Sequence, residues 1–189
     1  MLIGITGQTG AGKTTFCNAL RDVGINVIDG DIIARAVTAP NTDCTKQIGE
    51  TFENVILPDK SLDRRKLGDI VFKNSEKLTQ LNNIIFPYVL KAVDDLLEKS
   101  TEKVNCLDAP TLFESGADKK CDLIIAVIAN NKDEQINRLM KRDNITKEQV
   151  LNRIKSQKST DFFTENADII VNNRNMDKII ELILNIQSK

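Results

Sequence analysis

The stretch LIGITGQTGAGKTT, residues 2–15, decides the fold. Its first half, LIGIT, is a short continuous apolar run, the pattern of a parallel strand covered on both faces. Its second half, Gly7-Gln8-Thr9-Gly10-Ala11-Gly12-Lys13-Thr14, matches G-x-x-x-x-G-K-[ST] in full. Phe16, Ala19, Leu20 and Val23 then follow at helical spacing, and Gly24 supplies a stop. Strand, glycine-rich turn and helix in that order build a phosphate cradle. The glycines permit positive φ, backbone N–H groups converge, and the helix N-terminus adds partial positive charge. The predicted ATP contacts are Gly10, Ala11, Gly12, Lys13, Thr14 and Thr15. Lys13 is expected on the β- and γ-phosphates and the Thr14 hydroxyl on Mg²⁺. A glycine-rich turn with an incidental lysine is the alternative, and the strand-turn-helix context argues against it.

Four more apolar runs read as buried strands: INVID (25–29), VNCLD (104–108), LIIAVIA (123–129) and DIIVN (168–172). Helical patterns alternate with them, and Met176, Ile179, Ile180 and Ile183 form the last stripe. The expected fold is α/β, a doubly wound, five-stranded parallel sheet of the P-loop NTPase type. The second and third strands are separated by residues 30–103, far more chain than one crossover needs. That span carries helical patterns over 62–72 and 75–86, the second predicted to break at Pro87. Residues 35–100 therefore read as a helical insertion. Residues 138–160, rich in Lys and Arg, read as a second irregular piece, with Thr146 and Gln149 as a capping box. Residues 1–34, 101–137 and 161–189 make up the core.

Composition narrows the chemistry. The 189 residues, 41% hydrophobic, suit one domain with insertions. Lys plus Arg number 26 against 27 for Asp plus Glu, so no global basic field points to nucleic acid or a membrane surface. No apolar stretch approaches the ~18 residues a bilayer span requires. Cys17, Cys44, Cys106 and Cys121 show no C-x-x-C pair and no metal-ligand spacing. Free thiols and the absence of a leader point to a reducing cytoplasm. The chain has no histidine, which removes an imidazole base, a Ser-His-Asp triad and His-ligated zinc. Proton transfer then falls to a carboxylate, a lysine or water. A GTPase reading fails because Asn131-Lys132-Asp133-Glu134 misses the N-K-x-D register and LDAPTLFESG lacks a D-x-x-G switch. No LSGGQ-like signature supports a transporter ATPase. A small-molecule kinase remains.

In open α/β sheets, ligands gather at the carboxyl ends of the strands. Asp29 and Asp31 in VIDGDIIAR, and Asp108 in VNCLD, lie at such ends. They are placed to hold Mg²⁺, often through water, or to take a proton from an attacking hydroxyl. Asp31 has a second reading, as the N-cap of a helix starting at Ile32.

GITGQTGAGKTT, VIDGDIIAR, LDRRKLGDIVF, PTLFESG, DEQINRLMKRD and ADIIVNN, in this order and spacing, resemble the dephospho-CoA kinase family over nearly the whole chain. The resemblance implies transfer of the ATP γ-phosphate to the ribose 3′-hydroxyl of dephospho-CoA, the last step of coenzyme A synthesis. It implies that residues 35–100 bind the acceptor and residues 138–160 form a lid. It makes Asp31 the base, with Lys13 and Arg142 the other catalytic residues, and Arg142 the lid arginine on the ATP phosphates. Asp29, Asp31, Arg35, Arg64, Asp108 and Glu114 are implied on the acceptor side, and Asp31 as a possible companion of Thr14 at Mg²⁺. ATP and dephospho-CoA are the implied partners, with no nucleic acid, membrane or obligate protein partner. The chain departs from the family pattern at Phe86, where His-Pro is usual, and near Phe163, where a basic residue is usual. Two alternatives remain: another P-loop kinase acting on a nucleoside or nucleoside monophosphate, and a nucleotide-binding module without kinase activity.

Overall fold

The five apolar runs form one parallel sheet, in a computed structural model that describes residues 1–188. The strands are β1 (Leu2–Gly7), β2 (Asn26–Asp29), β3 (Asn105–Asp108), β4 (Leu123–Val127) and β5 (Ile169–Val171). Their order across the sheet is β2-β3-β1-β4-β5. β1 pairs with β3 and β4, and β4 with β5, with Ile5 beside Asp108 and Gly7 beside Val127. The connection after β1 runs toward β2, and the one after β3 runs back across β1 to β4. The order therefore reverses between β1 and β3, and the crevice for a ligand opens there.

The chain divides into two compact units, Met1–Ile28 with Thr101–Lys189, and Asp29–Ser100. In the first, Ile3, Ile5, Cys106, Ile125 and Val127 of the sheet are buried with Phe16, Cys17 and Leu20 of α1 (Lys13–Asp22). Ile180 and Ile183, on the last helix (Met176–Ser188), join them from the predicted stripe. Val23 does not belong to that core. It lies 42% exposed at the C-cap of α1, because the helix ends one residue earlier. The Gly24 N–H bonds Arg21 O, the Ile25 N–H bonds Leu20 O, and Gly24 takes φ 85°. This is the Schellman closure that a glycine after a helix permits.

The second unit is helical: α2 (Gly30–Val37), α3 (Asp43–Thr51), α4 (Arg64–Val71) and α5 (Ser75–Lys99). α2, α3 and α4 all pack on α5. Cys44, Ile48, Val55, Leu67, Leu81 and Ile84 are buried in its core. The predicted break at Pro87 is not there, since α5 runs through it. A proline removes one N–H donor and crowds the carbonyl four residues back. Here buried Leu81 and Ile84 on one side and Val93 on the other hold the helix by packing. Tertiary contacts outweigh the local penalty. Returning to the first unit, α6 (Lys132–Asp143) and α7 (Lys147–Lys155) form a hairpin over Ile136, Leu139 and Val150, followed by α8 (Thr160–Asn166). Thr146 and Gln149 make the predicted capping box.

Because Pro87 is exposed, Pro87→Ala removes the helix penalty with little loss of packing. Stability to urea should rise by roughly 1–3 kcal/mol. An unchanged or lowered midpoint would show that α5 depends on a proline bend.

Candidate active site

Seven α-helices carry a side chain that closes their first turn: Asp29, Thr42, Asp63, Asn74, Asn131, Thr146 and Ser159 cap α2 through α8 in order. α1 does not. Its N-cap is Gly12, with φ 110° and no side-chain hydrogen bond, and its first turn holds no acidic residue. The leading N–H groups of α1 thus face outward, ready for an anion. At two of its glycines the loop leaves no room for a side chain. A Cβ on Gly7 would lie 2.1 Å from Val127 O, and one on Gly10 would lie 2.7 Å from Leu139 Cγ.

Lys13 opens α1 and pairs with Asp108 at the end of β3, across the β1/β3 crevice. Ion pairing there is favourable because both side chains are largely shielded from water. Cys17 lies one turn on and hydrogen-bonds Asp108. Burial first, and the Asp108 charge second, push its thiol far above the ordinary value, so it stays protonated as a packing group. Burial likewise pushes the Cys106 thiol up to about 12. All four cysteines are free.

The phosphate loop is gripped from α6 and the α7–α8 segment. The Thr9 N–H donates to Gln157 Oε1 at 2.8 Å, and Gln135 Nε2 donates to Thr9 O at 2.7 Å. Gln8 Nε2 donates to Thr160 Oγ1 at 2.8 Å. Arg138 Nη1 and Asn173 Oδ1 lie 4.0 and 3.6 Å from where a Cβ on Gly12 would sit. Arg142, the arginine favoured by resemblance, instead forks onto Asp143, with Nε to Oδ1 at 2.7 Å and Nη2 to Oδ2 at 2.9 Å. Arg153 shares that carboxylate. The Arg142 guanidinium, and then Arg153, hold the Asp143 carboxyl below the usual range. Glu114 pairs with Lys158 at 3.7 Å. Asn131, the false start of an N-K-x-D motif, is the cap of α6.

The second unit holds a cavity of about 340 Å³. Asp31, Arg35 and Arg64 supply its charges, and Leu67, Val71 and Phe72 are among its apolar lining. Asp31 and Arg35 are four apart and share one face of α2. Asp29 is not in this lining. Its Oδ1 accepts from the N–H groups of Asp31 and Ile32 at 2.9 and 3.0 Å, so Asp29 is the cap and α2 begins at Gly30. The reading of Asp31 as a cap is overturned, and its exposed carboxylate is not used there. Arg64 Nη2 donates to Thr38 Oγ1 at 2.9 Å, and the buried Thr38 hydroxyl donates to Ala34 O at 2.6 Å. That relay fixes the guanidinium over the last turn of α2. Asp108 and Glu114, expected near the acceptor, belong to the other unit. Thr38, Arg138, Gln157 and Asn173 gained no role from sequence. Arg138 was visible inside the Gln135–Asp143 motif, whereas Thr38 and Gln157 carry no local signal.

The dephospho-CoA kinase family model matches residues 1–178. A protein of Fusobacterium nucleatum named dephospho-CoA kinase is 41% identical over 186 residues, covering 97% of this chain and 95% of that one. A crystal structure of a Thermus thermophilus protein superposes with a TM-score of 0.84 at 27% identity, covering 98% of this chain and 96% of the other. A dephospho-CoA kinase from Campylobacter jejuni shares the fold, with a TM-score of 0.62 at 22% identity over 100% of this chain and 98% of its own. The chain belongs to the dephospho-CoA kinase family, and it is an ATP-dependent kinase.

Lys13→Ala removes the cation at the first position of α1 and leaves Asp108 without its counterion, so the variant is assayed below its own unfolding temperature. Turnover, followed by coupled ADP release with dephospho-CoA, should fall about 10²-fold or more. An unchanged rate would contradict the phosphate-cradle assignment.

Proposed function

We propose that this member of the dephospho-CoA kinase family transfers the γ-phosphate of ATP to the ribose 3′-hydroxyl of dephospho-CoA, with Asp31 taking the hydroxyl proton. One observation carries the choice of Asp31. Asp29 caps α2, so Asp31 keeps its acceptor oxygens for a ligand, on the wall of a cavity that also holds Arg35 and Arg64. Dephospho-CoA has a pyrophosphate, a ribose and a long, largely uncharged arm. The two arginines suit the pyrophosphate by forked hydrogen bonds, and the apolar wall suits the rest. A nucleoside monophosphate has no such arm, which makes the apolar wall the feature favouring the larger acceptor.

In the step itself, the O3′–H bond loses its proton to Asp31 and a new O3′–P bond forms. The bond from the γ-phosphorus to the bridging oxygen breaks, and its electron pair leaves with ADP. The transition state is loose, so the protein contributes mainly position and charge. The uncapped N–H groups of α1 hold the phosphates, and Lys13 exchanges Asp108 for phosphate oxygens. Arg138, beside Gly12, joins Arg142 as a second arginine for the transferred group. No group of three His, Cys, Asp or Glu side chains gathers around a common point among the described residues. The donors at the loop, the exposed Thr14 hydroxyl with Asp108 nearby at Lys13, fit a Mg²⁺ that arrives on the nucleotide. When bound, that ion supplies charge to the β- and γ-oxygens; Asp31 is a further possible holder in this proposal. Residues 35–100 then serve as the acceptor-binding insertion and 138–160 as the lid. No helix among the described residues is long and apolar enough to cross a membrane, and we place the enzyme in the cytoplasm on its free thiols.

Asp31→Asn should lower turnover on the order of 10²-fold while ADP still binds. Asp29→Asn should leave the cap and most turnover, whereas Asp29→Ala should cost about 1 kcal/mol of stability. Assays with dephospho-CoA, nucleosides and nucleoside monophosphates fix the acceptor. Turnover with a monophosphate and none with dephospho-CoA would sink the proposal.

A further inference from the structure

Thr9 is the third residue of the phosphate loop, and both of its backbone hydrogen-bonding groups are taken by side chains. Its N–H goes to Gln157, just before α8, and its carbonyl accepts from Gln135 in the first turn of α6. The amide orientations follow from chemistry. A backbone N–H needs an acceptor, so Gln157 turns Oε1 to it; a carbonyl needs a donor, so Gln135 turns Nε2 to it. Gln135 is 4% exposed and can satisfy that carbonyl without competition from bulk water. Among the described residues the buried Nε2 of Gln157 has no hydrogen-bond partner, so its amide orientation is set by the bond from Oε1 to the Thr9 N–H.

Three residues of α6 at i, i+3 and i+4 face the same loop. Gln135 holds Thr9 O, Arg138 stands beside Gly12, and Leu139 packs where a Cβ of Gly10 would be. One face of α6 is thus registered on three successive parts of the cradle. Sliding α6 by a residue would break all three contacts together.

We propose that Gln135 and Gln157 are positioning residues for the nucleotide, clamping the Thr9 peptide so that the following loop amides and Arg138 are held in one fixed arrangement around the phosphates. The inference rests on the ATP site described above. It assigns the two glutamines to nucleotide binding rather than to the acceptor or to general stability.

The test uses the full chain with Gln135→Met and Gln157→Met, which keep side-chain length and lose the hydrogen bonds. ADP affinity is measured by calorimetry without acceptor, and KM for ATP and for dephospho-CoA by steady-state assay. Each variant should weaken ADP binding and raise KM for ATP about tenfold, with KM for dephospho-CoA changed by less than about twofold. The double variant should lose less than the product of the two singles, since both act on one peptide. Where a methionine variant fails to fold, Gln135→Glu keeps the size but cannot donate to the Thr9 carbonyl, and the same loss is expected. Folded variants with wild-type ADP affinity, or equal rises in both KM values, would overturn the clamp. A wild-type protein that binds no ADP would instead overturn the nucleotide site on which it rests.

Discussion

The N-terminus of α1 leaves its donors open, and much of the molecule is arranged around that debt of hydrogen bonds. An α-helix starts with several N–H groups that no earlier carbonyl can reach. In α2 through α8 the chain settles this with Asp, Asn, Ser or Thr. At Gly12 it cannot, because a glycine with φ 110° has no side chain to offer. The same glycine keeps the approach clear for a ligand and aims the amides of Lys13 and its neighbours outward. Strand order then sets the location. β1 and β3 diverge in connection, so the open helix end and Asp108 meet at the one crevice such a sheet creates.

The carboxylates at the strand ends divide their labour by position along the chain. Asp29 ends β2 in extended conformation, with φ −94° and ψ 111°, which is the geometry of an N-cap. Its oxygen is committed to backbone amides two and three residues ahead. Asp31 is already within the helix, where its side chain cannot cap and projects from the first turn. The pair therefore consists of one acid committed to the cap and one whose oxygens the cap does not use. The alternative reading of the sequence, Asp31 as the cap of a helix from Ile32, fails because the helix begins at Gly30 and Asp29 caps it.

The sheet was legible because buried parallel strands are continuous apolar runs, and all five lie where INVID and its companions place them. The phosphate loop was legible because its glycines, lysine and threonine are each required by contact with phosphate. What escaped reading depends on contacts between distant residues. Pro87 obeys a local rule that the packing of Leu81, Ile84 and Val93 overrides. Thr38 orders Arg64 across 26 positions, and Gln157 reaches Thr9 across 148. A threonine at a helix end or a glutamine in a polar segment gives no periodic signal. Arg138 and Arg142 illustrate the same limit. Both sit in one motif on one helix, and only coordinates reveal that Asp143 holds the second while the first stands by Gly12.

Several basic side chains of the first unit are tied to carboxylates. Lys13 has Asp108, Arg142 and Arg153 share Asp143, and Lys158 has Glu114. A half-buried charge without a counterion is expensive, so each pairing offsets part of the cost of shielding these groups from water. Under the proposed function, phosphate binding at Lys13 is then an exchange of one anionic oxygen for another, with little net charge buried or exposed. The ties differ in strength. Arg142 makes a two-point fork, whereas Arg138 meets the Glu134 carboxylate at 3.8 Å and donates from Nε to the Glu134 carbonyl at 3.5 Å, along one helix and largely in water. Such an exposed pair is worth little. Arg138 can therefore turn to phosphate at small cost, while Arg142 must first break a charged fork. In the proposed reaction the energetics therefore favour Arg138, beside Gly12, as the first arginine to engage the nucleotide, with Arg142 following only if the gain in the transition state exceeds what Asp143 already provides.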